Sequence, residues 1–290
     1  MRSEKYKVDG SHDVKLSDFP TDAKHDKVRK DDIIRRFEKN KEKAETLLDA
    51  FYADKKEGLI IVIQAIDASG KDSLIKNVFS GLNPEAMNVR YFKVPTAEEL
   101  AHDYLWRIHQ NVPRRGEIAV FNRSHYEDLI TVRVEDIWKG YRMSSRVLDE
   151  SEDDFFDKRY RQVREFEEYL YENSYRMVKV FLHISKDEQK TQFLERIDDE
   201  TKNWKFNPSD LSVRDKFDDY MDAFEEAINS TSTEHSPWYV LPGDQRWYTR
   251  FLMSEILVNE LKECNPRYPK LSKSAKASLA ECREKLVNEK

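Results

Sequence analysis

The chain has 290 residues, 37% of them charged and 39% hydrophobic, with a formal net charge of −6. This length and balance fit one large α/β domain with a charged, mainly helical exterior; the negative total excludes a general nucleic-acid coat, so any polyanion must meet a local basic site. No apolar stretch is long enough to cross a bilayer, the first seven residues lack the apolar core of a signal peptide, and Cys264 and Cys282 alone make neither a disulfide framework nor a zinc cluster, so a reducing cytoplasm is the expected compartment.

In chain order, residues 1 to about 30 are polar and read as a segment that wraps the surface or stays mobile. Ile34, Phe37, Leu47, Leu48 and Phe51 then fall at roughly helical spacing within Asp31 to Lys55, and the helix must end before Gly58. Leu59 to Ile63 is an unbroken apolar run, the pattern of a central parallel strand covered on both faces. Asp72 to Leu82 reads as the helix that leaves the turn after it. A second strand is expected at Asn88 to Lys93, and Thr96 with Glu99 forms a capping box for a helix through His109. Gly116 to Phe121 is the third strand. Phe156, Tyr160, Val163, Phe166 and Leu170 mark an amphipathic helix before a fourth strand, Met177 to Ile184. Ser185 and Glu188 cap the next helix, which runs toward Arg196 and a charged segment, Asp198 to Phe206. Phe217, Tyr220, Phe224 and Ile228 mark another helix, and Pro237 to Pro242 a fifth short strand. From Ser272, Ala275, Leu279, Cys282 and Leu286 recur at three- and four-residue steps, an amphipathic helix expected against the body or a partner subunit. The alternation predicts a doubly wound parallel sheet of about five strands with helices on both faces.

The first strand runs into Ala65-Ile66-Asp67-Ala68-Ser69-Gly70-Lys71-Asp72-Ser73. Backbone N–H groups from Ala68 to Lys71, with the N-terminus of the following helix, can cradle an anion, and Lys71 adds a mobile positive charge. The match to the phosphate-loop pattern G-x-x-x-x-G-K-[ST] is imperfect: Ala65 replaces the first glycine, and Asp72 stands where a magnesium-binding hydroxyl belongs. Asp67 is informative in another way. A carboxylate among phosphate-binding groups is repulsive unless a cation lies between them, which points to a magnesium ligand in a phosphoryl-transfer site. The third strand ends in Asn122-Arg123-Ser124-His125-Tyr126-Glu127-Asp128. Lys71 and Arg123 can supply the positive charge such a reaction needs, and Asp67 with Glu127 or Asp128 can hold the metal. Glu127 also fits a capping box begun by Ser124, Asp128 a first-turn acid, and Arg133 a surface cation; His125 and Tyr126 read as packing or supporting groups.

These strings, with Pro95-Thr96-Ala97-Glu98-Glu99-Leu100, Leu105-Trp106-Arg107-Ile108-His109, Phe181-Leu182-His183-Ile184-Ser185, Asn203-Trp204-Lys205-Phe206 and Pro237-Trp238-Tyr239-Val240, resemble the polyphosphate kinase 2 family over roughly Phe51 to Leu261. The resemblance implies a P-loop kinase-like fold related to thymidylate kinase, with inorganic polyphosphate as phosphoryl donor and a nucleotide as acceptor. It implies that Asp67 binds Mg²⁺, with Mn²⁺ a possible substitute, and helps orient the acceptor, and that Lys71 and Arg123 stabilise the transferring group. Ala68, Ser69, Gly70, Asp72, Ser73 and Arg133 would contact phosphate. Arg196, Lys202 and Lys205 would belong to a basic lid over about 190–210, within one domain flanked by an N-terminal extension to about 57 and C-terminal helices from about 245. Lys93, Pro95 and Thr96, with Asn122 and Arg123, would hold the nucleotide. Asn122, where members restricted to diphosphates tend to carry Asp, implies use of both AMP and ADP, giving ADP and ATP in a reversible reaction. Ser73, Gln192 and Glu200-Thr201 depart from the family pattern; a missing cation at 192 is expected to weaken polyphosphate binding or change the preferred chain length. A homo-oligomer, dimer or tetramer, without nucleic acid or membrane as partner, is expected. An ATP-dependent nucleoside monophosphate kinase and a noncatalytic polyphosphate- or nucleotide-binding protein are the competing readings.

Overall fold

The computed structural model describes residues 1–289. Its strands are β1 (Lys7–Val8), β2 (Gly58–Gln64), β3 (Met87–Tyr91), β4 (Ile118–Asn122), β5 (Tyr175–His183) and β6 (Trp238–Pro242), joined in one sheet of order β1-β6-β5-β2-β4-β3. All neighbours run parallel except β1, which is antiparallel to β6. The helices are α1 (Lys30–Asp54), α2 (Lys71–Phe79), α3 (Trp106–His109), α4 (Thr131–Val134), α5 (Ser145–Leu148), α6 (Glu152–Glu172), α7 (Lys186–Asp198), α8 (Ser209–Asp215), α9 (Phe217–Thr231), α10 (Arg246–Glu263) and α11 (Lys273–Val287). Among the described residues no helix is long and apolar enough to cross a membrane.

The apolar run of β2 is explained by its place at the centre of the sheet. Leu59, Ile61 and Ile63 point into a core with Leu48 and Phe51 of α1, Leu74 and Val78 of α2, and Phe251 and Leu252 of α10. Ile60 and Val62 point the other way, into a core with Tyr126, Phe156, Val163, Phe224 and Trp238. Each of these five strand residues is fully buried, a contribution of about 1.5–3 kcal/mol per side chain.

The expected α/β architecture is present, with differences that have local causes. A sixth strand, β1, comes from the segment read as polar wrapping, which also buries Tyr6, Val8, Leu16 and Ala23. The helix expected from Thr96 through His109 is broken. Thr96 and Glu99 do form a capping box, at 2.7 and 3.2 Å, but it serves only a short turn at Glu99–Ala101. Asp103 then accepts a bond from the Leu105 N–H at 2.9 Å, a side-chain turn that competes with helix continuation. α11 forms as expected, yet none of its residues is buried, so it does not pack on the body.

The parallel register sets up everything that follows. Ile63 pairs with Asn122, so the turn leaving β2 and the segment leaving β4 emerge side by side at the carboxyl edge of the sheet. α7 and α10 also start at this edge, after β5 and β6. Ligands bind open α/β sheets at this edge.

Candidate active site

Ala68 and Gly70 both adopt left-handed backbone, with φ of 64° and 90°. Such a turn gathers successive N–H groups around a concavity suited to an anion. Glycine suits the second position, where a side chain would be strained whatever the space. Lys71 opens α2, and its ammonium is folded back, donating to the carbonyls of Ala65 at 2.7 Å and Ile66 at 3.1 Å. Burial, with the nearby Arg123 charge, holds its pKa down to about 8.

Arg123 immediately follows β4, also with left-handed backbone at φ 64°, and its N–H donates to Ile63 O at 3.1 Å. Its guanidinium bridges Asp67 Oδ1 at 2.5 Å and Glu127 Oε2 at 3.4 Å. The same Glu127 oxygen accepts from Thr131 Oγ1 at 2.8 Å. Ser124 Oγ accepts from the Tyr126 N–H, so Ser124 caps the turn while Glu127 turns to Arg123 instead of completing a capping box. Burial pushes the Asp67 carboxyl up, but the charges of Lys71 and Arg123 outweigh it and leave its pKa below the usual carboxylate value. Asn122 donates through Nδ2 to Asp72 Oδ1 at 2.8 Å, placing a neutral amide against the acid that replaces the expected hydroxyl.

Asp67, Lys71, Asp72, Asn122 and Arg123 line a cleft of about 1030 Å³, whereas Glu127 lies outside its lining and is joined to it through Arg123. All of Asp67 to Ser73 line it, with Lys93, Asn122 and Arg123; Arg196, Lys202 and Lys205 close its opposite side. Lys205 Nζ stands 3.8 Å from Asp72 Oδ2. Arg196 is 3.6 Å from Asp210, and Lys202 is paired with Glu195 at 2.6 Å and Asp199 at 2.9 Å.

Other sequence candidates lie elsewhere. Pro95 and Thr96 do not line the cleft, although they follow Lys93 and Val94, which do. Asp128 is buried on the far side of the turn, accepting from Tyr141 Oη at 2.9 Å, and burial pushes its carboxyl up. Arg133 points to Glu226 at 2.6 Å, Glu152 at 3.3 Å and Tyr160 at 3.1 Å. The turn that directs Glu127 to Arg123 directs its neighbour Asp128 away.

Sequence reading missed three groups. Arg246 lines the cleft from the start of α10, its Nε 4.0 Å from where a Gly70 Cβ would stand, and it hydrogen-bonds Gln192 Oε1. A cation from another helix thus stands beside Gln192, where the sequence lacks the expected one. Arg250, one turn further, donates to Ser73 Oγ at 2.9 Å. Two arginines four apart in the first turns of a helix, with no acid there, oppose the helix dipole; that was the available signal. Trp204, 78% exposed, also lines the cleft; an aromatic ring within a charged segment was its signal.

The donor set around Arg123 is of hard oxygens. Among the described residues no group of three or more His, Cys, Asp or Glu side chains could by itself hold a metal ion. Mg²⁺ commonly takes one or two carboxylates and completes its shell with water and substrate phosphate; Asp67, which lines the cleft, fits that pattern directly, and Glu127, outside the lining, fits it through water.

A profile described as polyphosphate kinase 2 (PPK2) matches residues 27–269. The chain is 43% identical over 267 residues to an AMP/ADP-polyphosphate phosphotransferase of Meiothermus ruber, covering 91% of this chain and 95% of that one. It is 38% identical over 291 residues to an ADP-polyphosphate phosphotransferase of Rhodopseudomonas palustris, covering 99% of both. The crystal structure of polyphosphate kinase 2 from Arthrobacter aurescens TC1 superposes with a TM-score of 0.86 at 32% identity, covering 97% of this chain and 96% of that one. The phosphate loop beside Arg123, the basic cleft above it and these likenesses agree: the chain belongs to the polyphosphate kinase 2 family.

Proposed function

We propose that this protein transfers phosphoryl groups from inorganic polyphosphate to AMP and ADP, giving ADP and ATP in a reversible reaction. The observation that carries the reading is the meeting of Asp67, Lys71 and Arg123 at the carboxyl ends of β2 and β4, beneath a basic cleft. A terminal oxygen of the nucleotide attacks the end phosphorus of polyphosphate; the bond to the next bridging oxygen breaks, and its electron pair stays on the shortened polyphosphate. No phosphoenzyme is needed, so the protein's work is alignment and charge neutralisation.

The N–H groups of Ala68 to Lys71 hold the end phosphate. Lys71 leaves the Ala65 and Ile66 carbonyls for nonbridging oxygens, and Arg123 contacts the transferring group from the other side. Magnesium, held by Asp67 and phosphate oxygens, with Glu127 through water, would neutralise further charge. Arg196, Lys202 and Lys205 act as a lid; each stands against a carboxylate in the present arrangement, and phosphate replaces that carboxylate when substrate binds. Lys93, with Pro95 and Thr96 beyond it, borders the acceptor nucleotide.

Use of AMP rests on Asn122. The two relatives named above differ in the acceptors their names give, and a neutral amide beside Asp72 repels a dianionic monophosphate less than a second carboxylate would. A homo-oligomer working in the cytoplasm completes the proposal. The test is a choice of donor: with Mg²⁺ and AMP, the purified protein forms ADP rapidly from polyphosphate. Equal or faster ADP formation with ATP as sole donor would replace this reading by an ATP-dependent monophosphate kinase.

A further inference from the structure

Two residues beyond Arg123 the chain leaves the cleft and enters the core, and there it meets a buried charge pair. Glu167 of α6 and Lys179 of β5 have side chains 1% and 0% exposed, with Lys179 Nζ 2.5 Å from Glu167 Oε2. Ser236 Oγ donates to that same oxygen at 2.8 Å. Tyr126 Oη donates to Oε1 at 2.8 Å, and His125 Nε2 lies 3.3 Å from it. Lys179 also donates to Thr231 O at 2.7 Å, while Tyr126 Oη lies 2.9 Å from Thr231 Oγ1, which accepts from Trp238 Nε1 at 3.0 Å. The network therefore ties the segment after β4 to α6, β5, α9 and β6.

Stability alone does not account for it. Moving two such charges out of water costs several kcal/mol per ion, and apolar replacements of similar volume are often as stable or more so. Apolar neighbours are at hand, since Phe156, Val163 and Phe181 belong to the same core. What the charged pair adds is direction: bonds of fixed length and angle that allow Tyr126 and His125 one position.

Arg123 needs such an anchor. Its left-handed backbone is a sparsely populated conformation for a non-glycine residue and carries about 1–3 kcal/mol of strain that the surroundings must hold. On the amino side the holding contact is Arg123 N–H to Ile63 O; on the carboxyl side the Gln64 side chain of β2 meets Ser124 Oγ at 3.1 Å, and this network then fixes the next two residues, His125 and Tyr126. We infer that Glu167 and Lys179 are positioning residues, which act through Tyr126 and His125 to aim the Arg123 guanidinium into the cleft. The inference rests on the phosphoryl-transfer reading above.

The test is a cycle that combines the paired replacement Glu167→Leu with Lys179→Met, and separately Tyr126→Phe, with Arg123→Ala. The paired replacement should keep the melting temperature within a few degrees while lowering kcat about 10- to 100-fold, the scale of a slightly misplaced group. KM for polyphosphate and nucleotide should change less than about threefold, because binding groups stay in place. Tyr126→Phe, which removes one hydroxyl from an otherwise intact core, should lower kcat about 3- to 10-fold. In the Arg123→Ala background either change should add less than about a threefold further loss, since the side chain it aims is gone and the effects cannot add. Unchanged kcat in either variant, or losses that multiply fully with Arg123→Ala, would overturn the inference. If the paired replacement does not fold, the Tyr126→Phe cycle decides on the same criteria. A wild-type protein inactive with polyphosphate would overturn the functional reading itself; an active one with multiplicative losses would overturn only the positioning role.

Discussion

Arg123→Ala separates catalysis from stability. The guanidinium is 35% exposed and its carboxylate partners, Asp67 and Glu127, are 28% and 18% exposed, so solvent screens the pairs and their net stabilisation is about 1 kcal/mol or less. Alanine keeps a Cβ in the same left-handed backbone, so the strain at that position is unchanged. The melting temperature should fall by only about 2–4 °C. The effect on transfer is much larger. A fixed donor aimed at developing charge contributes about 10²–10³ in kcat, and an arginine on a transferring phosphoryl group up to about 10⁵. Loss of Arg123 should therefore lower kcat by about 10²–10⁴-fold, read as ATP formation from ADP at saturating polyphosphate, with thermal melts run alongside. Arg123→Lys should recover part of this at most, because an ammonium cannot bridge both carboxylates as a planar fork does. A well-folded Arg123→Ala variant with kcat within about threefold of wild type would refute the reasoning, as would an activity loss that merely follows a large drop in melting temperature.

Asn122→Asp would set a second carboxylate where the amide now donates to Asp72 at 2.8 Å, and it should reduce kcat/KM for AMP at least about tenfold more than for ADP; equal losses would remove Asn122 from acceptor choice. Lys71 in the free protein titrates at about 8, and a bound polyanion raises that value, so polyphosphate binding near pH 8.5 should take up protons and weaken as pH rises further. Calorimetry in two buffers of different ionisation enthalpy measures that uptake, and its absence would show that Lys71 does not reach phosphate. In the free protein the sign for stability is opposite: the depressed pKa leaves the unfolded chain binding more protons between about 8 and 10.5, so the penalty of burying this group is relieved and stability rises with pH across that window. Lys205→Ala and Arg246→Ala should each raise KM for polyphosphate by about 3- to 30-fold with little change in KM for nucleotide; an effect confined to nucleotide affinity would move both residues to the acceptor side.

The sheet was legible because its central strands are apolar on both faces, a pattern that does not depend on partners. β1 was not, since two residues carry no periodicity and its strand character comes from pairing with β6. The broken helix at Thr96 to His109 shows a local signal read correctly and extended too far: the capping box forms, and Asp103 stops what it began. Within the site, Asp67, Lys71, Asn122 and Arg123 could be grouped because parallel strands bring their carboxyl ends together. Asp128 and Arg133 share that stretch of chain, but a short turn and nearby acids carry their side chains elsewhere. Arg246 escaped notice because α10 is buried over most of its surface, which hides any amphipathic pattern, and because its distance to Gly70 depends on how β6 delivers that helix to the edge.

The most direct test of polyphosphate-driven transfer supplies purified protein with Mg²⁺ and polyphosphate, adds AMP or ADP in separate reactions, and resolves the nucleotides formed. The reading predicts ADP from AMP and ATP from ADP, each matched by loss of polyphosphate phosphoryl groups, and both abolished by Asp67→Asn. Formation of neither product by a folded protein would contradict it.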